Sequence, residues 1–129
     1  MRALLSSILL AASLAACTSA TAIGAKGESL SLFKPADQTL QRGSATTVKV
    51  VVARDALPGA IDLDVDQLPS GVEVTGGALE IAPGSNFGEF TLEAEPDAAL
   101  VTSHAVKLTA RAESGISVSQ TFLLSVKAR

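Results

Sequence analysis

Ile61-Asp62-Leu63-Asp64-Val65-Asp66 alternates aliphatic and acidic side chains without a break. No other stretch constrains the fold as much. A β-strand sends successive side chains to opposite faces, so this segment gains one apolar and one charged face when extended. A helix would scatter the three aspartates over all its faces. The spacing therefore predicts a half-buried strand that needs an apolar partner layer.

The same period of two recurs along the chain. Leu30 and Leu32 alternate with Ser29 and Ser31. Val48, Val50 and Val52 share one face, with Lys49 on the other. Val72-Glu73-Val74 and Leu79-Glu80-Ile81 repeat the pattern briefly. Phe90, Leu92 and Ala94 oppose Glu89, Thr91, Glu93 and Glu95, while Val106, Leu108 and Ala110 oppose Lys107, Thr109 and Arg111. A last strand is expected from Ile116 to about Val126, with Val118, Phe122 and Leu124 inward. Gln120 interrupts that face and predicts either a rim position or a bulge. Pro58-Gly59, Pro69-Ser70-Gly71, Gly76-Gly77, Pro83-Gly84 and Ser114-Gly115 supply the turns. Pro96 to Ser103 reads as the longest late connection. The expectation is an all-β fold of about seven to eight antiparallel strands with no useful amphipathic helix. Each strand has one apolar face to bury, so two sheets should pack together.

Charge placement suggests how the strands are ordered. Ten acidic residues and no Lys or Arg lie between Asp55 and Val106, whereas Lys107 and Arg111 occupy outward positions of the next strand. In an immunoglobulin-like Greek key the third strand pairs with the sixth and the second with the fifth. That order would set Asp62, Asp64 and Asp66 beside Lys107 and Arg111, and Lys49 near Glu89 and Glu93. Opposite-charge neighbours across strands stabilise a sheet by roughly 0.2 to 1 kcal/mol per pair. A jelly roll or a prealbumin-like sandwich could neutralise the same charges.

The run Leu68-Pro69-Ser70-Gly71-Val72, and the strand pair from Val106-Lys107-Leu108-Thr109-Ala110 to Val118, resemble bacterial immunoglobulin-like modules of cell-envelope proteins. The resemblance implies a Greek-key β-sandwich acting as a spacer, an adhesion unit or an accessory part of an assembly. The tyrosine corner, buried tryptophan and cysteine pair of antibody-type domains are missing.

The N-terminus adds a compartment. Arg2 precedes an apolar segment, Ala3 to Ala16, broken by Ser6, Ser7 and Ser13. It is shorter than the roughly 20 residues of a membrane-spanning helix, and its flanks fit a secretory signal. The segment ends in Leu14-Ala15-Ala16-Cys17, and Cys17 is the one cysteine of the chain. This arrangement resembles a bacterial lipoprotein signal with its lipobox. The resemblance implies cleavage before Cys17, diacylglycerol on its thiol and acylation of the new amino group. Thr18 in place of an aspartate implies sorting to the outer membrane, and the expected placement there faces the periplasm. The expected organisation is a signal peptide over residues 1–16, a lipidated N-terminus and flexible tether over 17–27, and a β-sandwich domain over 28–129. Ordinary secretion, with cleavage near Ala20 or Ala22, and a retained membrane helix are the competing readings.

No residue pattern identifies a reaction. Acylation of Cys17 would leave no thiol for a disulfide, a metal site or a nucleophile. Formal charge is -3, and the chain has no Trp, no Tyr and four Phe, so no basic or aromatic platform for nucleic acid is expected. Asp62, Asp64 and Asp66 stand about 7 Å apart along one strand face. A calcium ion needs oxygens at about 2.3 to 2.6 Å, so the strand alone is a poor site, and only help from Asp55 or Asp97 in the end loops would improve it. His104, the single histidine, has no nucleophile-elbow serine to serve. No cofactor, metal or catalytic residue is expected. The chain reads as a non-enzymatic envelope lipoprotein, a structural or protein-interaction module. The membrane would be held through Cys17, beside a protein partner of the envelope. The alternatives are small-molecule or carbohydrate binding in an end-loop pocket, and an accessory role in secretion or periplasmic assembly.

Overall fold

The computed structural model describes residues 19–129, and the expected signal peptide and Cys17 lie outside them. Ten strands form two five-stranded sheets. They are β1 (Ser19–Ile23), β2 (Ser29–Phe33), β3 (Gln38–Gln41), β4 (Ala45–Asp55), β5 (Ile61–Asp66), β6 (Val72–Gly77), β7 (Glu80–Ile81), β8 (Phe87–Ala94), β9 (Val101–Ala112) and β10 (Ser117–Lys127). Sheet A has the order β1-β2-β4-β8-β6, and sheet B the order β3-β10-β9-β5-β7.

This is an immunoglobulin-like sandwich, and its central pairings follow the charge pattern. On β5 and β9, Asp62 lies opposite Arg111 and Asp66 opposite Lys107. On β4 and β8, Lys49 lies opposite Glu89, while Glu93 faces Ala45 instead. These partners are placed by register without close contact. Among the described residues, the ion pair within bonding distance is Lys34 with Asp37, at 2.8 Å.

The core sits between the sheets and is wholly apolar among the described residues. Val50, Leu63, Phe90, Leu108 and Phe122 all point into it. Gln120 shares that inner face without making a bulge. Its side-chain amide donates to the Leu32 carbonyl at 3.0 Å, so a polar group on the inner face of sheet B is satisfied by the backbone of sheet A. The irregularity in β10 falls later, between Leu124 and Val126. There Ser103 on β9 has a positive φ of 52°, and its N–H donates to the Ser125 hydroxyl.

Several expectations require correction. Residues 19–23 belong to the stretch expected to be a loose tether, yet they pair antiparallel with β2 from Ser19–Phe33 to Ile23–Ser29. Ala20 and Ala22 pack against the core edge, which small side chains allow but hydropathy scarcely signals. β3 was not expected either, and it runs parallel to β10. The total therefore exceeds seven or eight strands, and one pairing is not antiparallel. β9 begins at Val101, inside the expected connection, which puts His104 within a strand.

The change of sheet between β2 and β3 is held by Asp37. Its carboxylate accepts from Lys34 Nζ at 2.8 Å and from the Leu123 N–H at 2.9 Å. Both bonds hold its pKa below the ordinary carboxylate value. A depressed folded-state pKa contributes stability above the unfolded value, and that contribution is lost as pH falls through the lowered one.

Candidate functional site

The strand ends near the β1–β2 turn gather three further connections: the loop after β4, the turn before β8 and the β9–β10 hairpin. Between the β1–β2 turn, the loop after β4 and the β9–β10 hairpin opens a cleft of about 450 Å³. Leu57, Pro58, Ala60, Ile61 and Ala112 supply its apolar wall, and Lys26, Glu28 and Glu113 its charged rim.

The local sequence explains this shape. Pro58-Gly59 turns the chain between β4 and β5, and Leu57 is drawn into the core while its neighbours stay outside. Gly59 lets the Glu113 side chain lie against the loop, because a Cβ there would collide with the carboxylate. Glu28 folds back over Gly24 and accepts the Lys26 N–H at 2.9 Å. In the hairpin, the Gly115 N–H donates to Ala112 O and the Ala112 N–H to Ile116 O, both at 2.9 Å.

Arg54 fastens the cleft from behind. Its guanidinium donates to the carbonyls of Leu57 at 3.1 Å and Ala82 at 2.7 Å, and also to those of Gly59 and Ser85. One cation thus ties the loop after β4 to the turn before β8. The fork of donors on a guanidinium suits several carbonyls at once, which a lysine ammonium would not reproduce. Sequence reading missed this residue. The available signal was that Arg54 is the last cation before a long stretch without Lys or Arg.

The residues weighed for chemistry are not gathered here. Asp62, Asp64 and Asp66 lie along the exposed face of β5, and Asp64 is opposite Thr109. Asp97 sits at the other end of the sandwich, in the connection after β8. Among the described residues, no three His, Cys, Asp or Glu side chains are grouped to hold a metal. His104 donates from Nε2 to the Gln67 carbonyl at 2.8 Å, which fastens the chain leaving β5. Cys17 lies outside the described residues. No described helix is long and apolar enough to cross a membrane, which says nothing of a strand-built barrel.

A second exposed feature lies on the outward face of sheet A. Phe33, Val51 and Phe87 are all exposed there, and a shallow hollow is lined by Lys49, Val51, Asn86, Phe87, Gly88 and Glu89.

No family model matches this chain, and neither does any curated protein. Among solved structures, a chimeric titin Z1Z2 is similar at 20% identity and a TM-score of 0.46, covering 78% of this chain and 95% of that one. The titin M3 domain is similar at 16% identity and a TM-score of 0.45, covering 76% and 96%. Similarity at this level carries nothing about function, and the fold assignment stands on the sheet topology itself.

Proposed function

We propose that this chain is a non-enzymatic lipoprotein of the cell envelope, anchored by lipid on Cys17, whose sandwich serves as a protein-interaction module. The observation that carries the anchor is the position of β1. Cleavage near Ala20 or Ala22, as in ordinary secretion, would cut through Ser19–Ile23 and remove its pairing with β2. Cleavage before Cys17 leaves the whole strand in the mature protein. Of the two cleavage readings, the lipobox one spares this strand. Outer-membrane sorting, facing the periplasm, goes with Thr18 after the cysteine.

The partner surface in this reading is the cleft at the strand ends. Its wall is apolar, its rim carries both charge signs, and Arg54 holds the loop after β4 in place before any partner arrives. Preorganisation of this kind lowers the ordering cost of association. A small-molecule reading draws on the cleft volume, which falls in the usual range of roughly 300 to 1,000 Å³ for ligand sites. The scarcity of convergent polar side chains favours the protein partner. A photo-crosslinker at Ala60, used in intact cells with Lys107 as the control position, separates the two. A discrete envelope-protein adduct from the cleft position alone is expected. An absent adduct, with a small molecule retained by the purified protein, would favour ligand binding instead.

A further inference from the structure

We infer that the outward face of sheet A docks on the lipid bilayer, seating Phe33, Val51 and Phe87 in its interfacial layer. This inference rests on the lipid anchor proposed for Cys17. Phe87 is 71% exposed, Val51 47% and Phe33 41%, while the other exposed large apolar side chains, Ile23, Leu79 and Leu100, lie outside this row. Their registers align. Val51 lies opposite Phe87, and Ser19 opposite Phe33. Leu32 lies opposite Val52, so the next step of the same antiparallel register sets Phe33 against Val51. An apolar row therefore crosses β2, β4 and β8 and begins beside the first residue of β1.

Covalent geometry decides what that row meets. Cys17 and Ser19 are two residues apart, and a fully extended chain covers at most about 7 Å over that span. A lipid-bearing Cys17 sits at the membrane surface, so the flank of the sandwich at Ser19 is held against the bilayer. The row that starts at this flank, with Phe33 opposite Ser19, then faces the lipid. Interfacial amphipathic helices seat their apolar faces roughly 5 to 10 Å into the headgroup boundary. Lys49 lies outward two residues before Val51 on β4, opposite Glu89. Long cationic side chains beside an apolar face extend toward the headgroup layer. The cleft opens at the strand ends and not on this face, so docking leaves it free for a partner.

The test uses the full-length chain, purified from membranes after acylation has consumed the Cys17 thiol. Phe87→Cys and, separately, Lys107→Cys on the outward face of sheet B are labelled with a polarity-sensitive dye. Each protein is placed in phosphatidylethanolamine–phosphatidylglycerol vesicles containing headgroup-level spin-labelled lipid. Quenching by that lipid should be several-fold stronger at position 87 than at 107, and quenching by aqueous iodide should show the reverse. Equal lipid quenching at both positions would overturn the proposal. So would protection of position 87 from iodide without lipid quenching, because a second copy or another protein would then cover the row. Intact mass of the same preparation reads the anchor separately. An unacylated chain removes the anchor and the docking with it, whereas an acylated chain without lipid contact at 87 removes the docking alone.

Discussion

Leu63 and Asp64 are adjacent on β5, yet one is 5% exposed in the core and the other projects to solvent. Leu63→Ala deletes buried methyl groups and leaves a cavity, so it should destabilise by roughly 2 to 5 kcal/mol. Asp64→Ala removes an exposed side chain opposite Thr109 and should stay within about 0.5 kcal/mol. Denaturant melts of the two variants check this, and similar losses would mean that the strand faces are misassigned. The contrast was legible in the sequence because alternation alone decides which side chain faces inward. Arg54 was not legible in this way. Its four carbonyl partners come from two segments that topology brings together, and a lone arginine at a strand end has the same appearance whether it bridges loops or meets solvent.

At the scale of elements, legibility followed the strength of alternation. β4, β5, β8, β9 and β10 pair valine, leucine or phenylalanine with charged or hydroxyl neighbours over many residues, and each was readable. β1 buries only Ala20 and Ala22, and β3 buries only Leu40, so neither produced a clear pattern. Their places depend on pairing with β2 and β10, which no local pattern encodes. Turns were readable as turns but not in their tightness. Gly71, in the Leu68-Pro69-Ser70-Gly71-Val72 run, has a φ of +83°, and a Cβ there would lie 2.6 Å from the Ala98 Cα. Its carbonyl accepts the Glu95 N–H at 2.8 Å, so this close approach joins the loop before β6 to the one after β8. Gly84 has a φ of +81° with open space around it. Gly84→Ala should therefore cost only the left-handed backbone term of about 1 to 2 kcal/mol. Gly71→Ala should cost clearly more, since backbone must also move. Thermal melts of both variants would show the difference, and equal shifts would mean that the Gly71–Ala98 contact is readily relieved.

For the whole molecule, the sandwich carries its short first strand beside the proposed anchor and its cleft at the strand ends. The sequence indicated an end-loop pocket only as an alternative, because the lining residues are scattered from Lys26 to Ser114. The proposed anchor rests on Leu14-Ala15-Ala16-Cys17, and β1 is the strand that cleavage before Cys17 would keep whole. In the proposed reading, orientation at the membrane and access to the cleft both depend on that one attachment. The most direct measurement is intact mass of the mature protein extracted from membranes, beside the Cys17→Ser variant. The predicted result is a chain beginning at Cys17 that carries acyl mass, with the variant unacylated and released or left unprocessed. A mature chain beginning after Ala20 or Ala22, without acyl mass, would contradict the anchor and the retention of β1 together.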